Sequence, residues 1–162
     1  VLPLAELSGQ ECELYVFTRW DIVSDWEDVI KSIPDFVYKA MIIWDKCGLG
    51  MGDHDASWCP SYEIILYAKK GRRDLNGQRE SVLRFPRPNH KDRIHPTEKP
   101  VALLEALIQT STAPGDVVVD PFAGSASTIH AAQNLGRQAI GVEYDETYFI
   151  NASARLEQTT LF

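Results

Sequence analysis

The stretch Val117-Val118-Val119-Asp120-Pro121-Phe122-Ala123-Gly124-Ser125-Ala126-Ser127-Thr128 decides the fold. Three β-branched residues in a row make a short, wholly apolar strand of the kind buried in parallel sheets. The run ends in an acid and a tight turn. Gly124 lets the backbone bend sharply and lets a ligand come close. A helix follows, predicted over about 125–135 and stopped at Gly136 as its C-cap. The free N–H groups at such a helix start can hold an anionic group. About twenty residues on, Glu143 ends the next strand, predicted over 138–142. An acid at that tip can accept hydrogen bonds from both hydroxyls of a ribose. The stretch therefore predicts a nucleoside site at the carboxyl ends of two adjacent strands. A dinucleotide fingerprint would need G-x-G-x-x-G, whereas Gly124 is followed by Ala126 and Ile129, which disfavours a pyrophosphate cofactor such as NAD.

Working outward, the same alternation extends both ways. Downstream, residues 145–158 read as a last helix. Upstream, Pro114-Gly115 makes a turn, and Pro100 opens a helix to about 111 with Val101, Leu104, Leu107 and Ile108 on one stripe. Thr97 suits the N-cap of that helix, worth about 1 kcal/mol. Residues 13–17, 38–44 and 62–68 read as strands, and 22–32 as an amphipathic helix begun near Ser24 and stopped by Pro34. Strands alternating with helices indicate an α/β layered domain with a largely parallel sheet. The stretch 69–98 has weak periodicity and reads mostly as loop.

The 162 residues suffice for one domain with a sizeable core. No apolar run is long enough to span a bilayer, and the N-terminus does not read as a signal peptide. The chain opens on Val1 rather than Met, which we read as a fragment boundary. Three irregularly spaced cysteines, Cys12, Cys47 and Cys59, argue against a disulfide framework and fit a reducing cytoplasm. Cys47, His54 and Cys59 lack zinc-type spacing and a fourth ligand, so no metal site is expected. Net charge is −7, yet residues 69–99 hold ten Lys or Arg against four acids, a local +6 that leaves −13 on the remainder. Such a basic segment in an acidic body can bind phosphates by counterion release, or can simply be a solvated loop.

Three motifs then converge on one resemblance. Asp120 to Thr128 resembles motif I of the DNA amino-methyltransferases, and Gly141-Val142-Glu143-Tyr144-Asp145 resembles their motif II. Tyr148, Ala152 and Arg155 continue the pattern. Upstream, His95-Pro96-Thr97-Glu98-Lys99-Pro100 is similar to the H-P-T-x-K-P signature that opens their motif X helix. The order X, I, II is that of the permuted β class, and Trp44-Asp45-Lys46 and Tyr62 to Leu66 are also similar to that class. The resemblance implies a Rossmann-like class I methyltransferase sheet with helices on both faces, in permuted and incomplete order. Residues 1–162 would then form a single methyltransferase domain. Within it, 1–68 would be the remainder of the catalytic half, 69–98 a target-recognition loop and 99–162 the cofactor-binding half. It also implies S-adenosylmethionine as cofactor. Asp120, Phe122 and Gly124 would frame its methionine part, with Ser125 beside them. Glu143 would bind its ribose. Thr97 and Lys99 would lie near its carboxylate. Ala126 departs from the more frequent glycine.

The implied partner is double-stranded DNA, with Arg72, Arg73, Arg79, Arg84, Arg87 and Arg93 as its contacts, to guanine or to phosphate. The implied setting is the cytoplasm of a bacterium or archaeon, or a phage-encoded protein, with no membrane association and room for a homodimer. His95 and His130 read as structural, and Trp20, Trp26, Trp44 and Trp58 as core or loop packing. The family's catalytic motif, an Asp, Asn or Ser followed by Pro-Pro and an aromatic residue, is missing: the sequence contains no Pro-Pro pair. We therefore assign no catalytic residue, and the chain alone is expected to be inactive. The main alternative is a non-catalytic remnant that binds cofactor or DNA. A nucleotide-dependent oxidoreductase is a weaker third reading.

Overall fold

A computed structural model describes residues 9, 11–48, 55–77, 80–89, 95 and 97–159. The chain divides into two compact units, Val1–Pro86 and Arg87–Phe162.

The first unit holds β1 (Cys12–Thr18), α1 (Val23–Ser32), β2 (Val37–Asp45), β3 (Tyr62–Lys70) and β4 (Val82–Arg84). Their sheet order is β1-β3-β2-β4. The sheet is mixed rather than largely parallel. β3 runs antiparallel to both β1 and β2, and only β4 lies parallel to β2. The reason is the connection: a parallel neighbour needs a crossover, usually helical, and no helix lies between β2 and β3 among the described residues. β4 was not foreseen. It is three residues long, and its Val-Leu-Arg carries too little pattern to stand out from a basic loop. Ile64, Ile65, Leu66, Tyr67 and Ala68 of the central strand are all buried, so β3 is apolar without alternation. One sheet face packs on α1, where Ile30, Ile33, Phe36, Ile64, Leu66 and Ala68 form the core, with Leu14, Val16, Trp26 and Ile43 against it. Trp44 is buried and donates its indole N–H to the Phe85 carbonyl at 2.7 Å. Trp20 and Trp58 are exposed and add nothing to a core.

The second unit holds α2 (Val101–Ser111), β5 (Val117–Asp120), α3 (Ser127–Asn134), β6 (Gln138–Gly141) and α4 (Glu146–Thr159). β5 and β6 are parallel and in register, Val119 opposite Ile140 and Asp120 opposite Gly141. The helix after Pro100 begins with that proline as N-cap, not with Thr97, and its first turn closes onto the Pro100 carbonyl. Gly136 terminates α3 as expected. With φ +71° it puts its own N–H on the Gln133 carbonyl and the Arg137 N–H on the Ala132 carbonyl, the paired bonds of a Schellman motif. Arg137 then ties the start of β6 to the end of α2 through Thr112, by its side-chain oxygen at 2.9 Å and its carbonyl at 2.8 Å. Asn134 reaches Glu105 on α2 at 2.8 Å.

Ala126, Ile129 and Ala152 form the buried centre over one sheet face, with Ala139 and Leu156 against them. The described residues leave the opposite face open. Val117, Val119, Ile140 and Val142 are 49–56% exposed. This overturns the reading of Val117–Val119 as a fully buried run. The two-stranded sheet has a helical cover on one side, so alternate valines point to solvent.

Ala126 sits at φ +56°, ψ 26°, just before α3. A left-handed conformation costs a residue with a Cβ about 1–2 kcal/mol. Its methyl is buried, which returns roughly 0.8 kcal/mol. Ala126→Gly is therefore expected to leave the protein as stable or to stabilise it by up to about 1 kcal/mol, read as a rise in thermal midpoint. A loss of stability would show that methyl packing outweighs the backbone strain.

Candidate functional site

The site begins where β5 ends. The Asp120 carboxylate accepts the Phe122 N–H at 3.0 Å, an Asx-type turn that Pro121 suits. The Ala123 N–H then bonds the Val142 carbonyl at 2.9 Å, which keeps the loop alongside the chain leaving β6. Gly124 follows at φ +52°, a conformation that glycine takes without strain. Its N–H donates to Glu143 Oε2 at 2.7 Å. The other oxygen, Oε1, accepts the Asp145 N–H at 2.9 Å. Asp145 in turn caps α4, taking the Tyr148 N–H on Oδ1 at 3.0 Å. The bend after one strand and the acid after the next, nineteen residues apart, thus meet directly.

These donors hold the Glu143 carboxyl below its ordinary value of 4.5. The Asp145 N–H contributes most and the Gly124 N–H next. Partial burial opposes them, and the Tyr144 N–H and the nearby His95 add smaller effects. Glu143 is therefore an anion at neutral pH. A carboxylate has about four lone-pair positions. The Gly124 and Asp145 N–H groups take one position on each oxygen and the Tyr144 N–H adds a weaker contact, which leaves acceptor capacity for a ligand.

The segment before α2 closes on the same turn. The His95 ring lies 3.5 Å from where a side chain on Gly124 would start, and edge-on to Tyr148 with ring centres 4.3 Å apart. Its Nδ1 accepts the Thr97 N–H at 3.2 Å and lies 3.1 Å from the Thr97 hydroxyl. Glu98 is turned inward, its side chain only 5% exposed, and pairs with Arg155 of α4 at 2.8 Å. Arg155 also donates to the Ser125 carbonyl at 3.2 Å and lies 3.5 Å from the Ser127 hydroxyl.

Of the residues expected to hold a cofactor, Gly124 and Glu143 are in direct contact. Asp120 and Phe122 lie in the same loop, with the Phe122 ring 84% exposed. Ser125 is buried, and its hydroxyl is engaged with Ser127 at 2.9 Å. Thr97 is exposed and spends its hydroxyl on His95, while Lys99 is half-buried beside Pro100. Sequence reasoning did not single out Glu98, Arg155 or Asp145 for any role here. The signal for Glu98 and Arg155 lies in a pairing across 57 residues, which no local pattern reveals.

Among the arginines expected to meet DNA, Arg72 is exposed. Arg73 lies 3.7 Å from Glu11, and Arg84, at the end of β4, lies 3.4 Å from Asp45. Arg87 is half-buried in the second unit, and Arg79 and Arg93 lie outside the described residues. Cys47 is exposed and Cys59 half-buried, and His54 also lies outside the described residues. No helix among the described residues is long and apolar enough to cross a membrane.

Comparison with known proteins shows the family to which this chain belongs. Residues 10–153 match the family model of N6/N4-type DNA methylases. The DNA adenine methyltransferase YhdJ of Escherichia coli (strain K12) is 39% identical over 99 residues, 58% of this chain and 34% of that protein. The chain spans about a third of the length of the curated relatives it matches. The crystal structure of M1.HpyAVI in complex with SAM superposes with a TM-score of 0.82 at 31% identity, over 93% of this chain and 77% of the other. The cytosine-N4-specific PvuII DNA methyltransferase shares the fold, with a TM-score of 0.71 at 14% identity over 90% of this chain and 63% of its own.

Proposed function

Because the chain belongs to the N6/N4 DNA methylase family, we propose that it is the cofactor-binding portion of an S-adenosylmethionine-dependent enzyme that methylates the exocyclic amine of adenine or cytosine in double-stranded DNA. The observation that carries this reading is the Glu143 carboxylate, bonded to the Gly124 N–H at 2.7 Å and held as an anion at the tip of the strand. Such a carboxylate suits the two hydroxyls of an adenosyl ribose. The open bend at Gly124 suits close approach of the methionine part, with Asp120 and Phe122 beside it. A pyrophosphate would want further N–H groups and glycines that the Gly124–Ala126 turn does not offer. When bound, S-adenosylmethionine supplies an electrophilic methyl on a sulfonium centre.

An exocyclic amine of adenine or cytosine is a poor nucleophile, because its lone pair is delocalised into the ring. A polar side chain must accept its hydrogen bonds, and an aromatic side chain must hold the base once it leaves the stack. The sequence has no Pro-Pro-aromatic motif to do this. We place that motif on a segment of the same fold outside these 162 residues, and the bare face of β5 and β6 is the surface that segment would cover. Parallel sheets of this kind are covered on both faces. M1.HpyAVI supports the reading, since nearly a quarter of its chain has no counterpart here. Arg72, Arg73, Arg84 and Arg87 give the basic segment between the strands and α2 its affinity for the DNA backbone or for guanine.

Two measurements test the proposal together. Calorimetric titration is expected to detect S-adenosylmethionine binding and no NAD binding. Transfer of labelled methyl groups to duplex DNA is expected from the complete reading frame that contains this chain, and not from residues 1–162 alone. Absence of S-adenosylmethionine binding defeats the assignment. Transfer by residues 1–162 alone defeats the idea that the amine-activating group lies elsewhere. Binding without transfer by the complete frame points to a non-catalytic remnant.

A further inference from the structure

The His95 imidazole has a defined protonation pattern. A backbone N–H can only donate, and the Thr97 N–H points at His95 Nδ1 at 3.2 Å. Nδ1 is therefore a lone-pair acceptor, and the Thr97 hydroxyl at 3.1 Å is a second donor to it. In the neutral ring the proton must then reside on Nε2, because the bond made by one nitrogen fixes the state of the other. The ring so held meets one other segment and faces a second. Its atoms Cγ, Cδ2 and Nδ1 lie 3.5–3.6 Å from where a Gly124 side chain would begin, and its edge meets Tyr148.

Gly124 is thus bounded on two sides, by Glu143 on its N–H and by the His95 ring across the space a Gly124 side chain would fill. We propose that His95 is a positioning residue for the cofactor turn, and that Thr97 acts through it by fixing its tautomer and orientation rather than by contacting the ligand itself. This rests on the assignment of the turn to S-adenosylmethionine. Shifting the ring frees Gly124 to move, and the Glu143 oxygens that face the ribose move with it.

The test separates the ring from its hydrogen bond. His95→Phe keeps the ring against Gly124 and Tyr148 but removes the acceptor. His95→Asn returns an acceptor near the Nδ1 position. In the wild-type protein, nitrogen NMR of the histidine side chains at pH 8 is expected to show His95 protonated at Nε2 alone. His95→Phe is expected to keep the ligand-free thermal midpoint within about 2 °C and to weaken S-adenosylmethionine binding on the order of tenfold. His95→Asn is expected to recover most of that loss, and Thr97→Val, which keeps the backbone N–H and loses only the hydroxyl, to fall between the native protein and His95→Phe. A proton found on Nδ1 overturns the proposal. So does unchanged affinity in His95→Phe, or a loss of affinity in both His95 variants that only tracks their loss of stability. Failure of the wild-type protein to bind S-adenosylmethionine, with the Nε2–H tautomer present, instead removes the cofactor reading and this role with it.

Discussion

Arg155→Ala is expected to destabilise the protein by roughly 2–4 kcal/mol, a little less than deleting one partner of a fully buried ion pair costs, because the Arg155 side chain is 25% exposed. Its guanidinium joins three parts of the chain. It pairs with Glu98 before α2 at 2.8 Å, donates to the Ser125 carbonyl at 3.2 Å and lies 3.5 Å from the Ser127 hydroxyl, while its own backbone belongs to α4. Glu98 is the more sensitive partner. Its side chain is 5% exposed against 25% for Arg155, so removing the guanidinium leaves a carboxylate with little access to water. Arg155→Lys is expected to recover only part of the loss, since the contacts are made by Nη1, at the far end of the guanidinium, and a lysine ammonium ends one bond short of that position. Glu98→Gln with Arg155→Met is expected to cost less than Arg155→Ala alone, because no charge is then left behind. Chemical denaturation of the three variants measures this. A cost below 1 kcal/mol for Arg155→Ala would mean that solvent screens the pair despite its burial.

That clamp also marks the boundary of what a sequence discloses. The strand at Val117, the bend at Gly124, the C-cap at Gly136 and the acid at Glu143 are local signals, each fixed by a backbone requirement that few residue types meet. The structure places them as those requirements dictate. The Gly124–Glu143 contact was legible for the same reason, since parallel neighbours in register bring their carboxyl ends together. The burial of Val117 and Val119 was misjudged because an apolar run tells what a strand prefers, not whether a partner is present to cover it. The strand directions failed in a related way. Residues 62–68 announce a buried strand equally well whether it runs parallel or antiparallel, and the connection decides. Thr97 shows the limit for a polar residue. Its hydroxyl suits a helix cap, yet the helix starts three residues later and the hydroxyl turns to His95. An Arg155–Glu98 pair has no local signature at all.

Glu143→Ala is expected to weaken S-adenosylmethionine binding on the order of a hundredfold. Two ribose hydroxyls would lose a charged acceptor together, which is roughly two decades in affinity. The variant also strips the acceptor from the Gly124 and Asp145 N–H groups, so the bend itself loosens. Glu143→Gln is no mild substitute. Its single carbonyl oxygen can replace one of two carboxylate oxygens, and its NH2 would face a backbone donor. It is expected to fall nearer to alanine than to the native residue. The pH dependence gives an independent check. The folded-state value of Glu143 lies below the ordinary 4.5, with the Asp145 and then the Gly124 N–H as the main causes. Its contribution to stability is therefore fully present above the unfolded value and is lost only as pH falls through the lowered one. Calorimetric affinity governed by this carboxylate should stay level from pH 8 down to the ordinary value of 4.5 and decline only below it, and Glu143→Ala should abolish that acid limb. Native affinity in Glu143→Ala, or an acid limb that survives it, would place the ribose somewhere other than on this carboxylate.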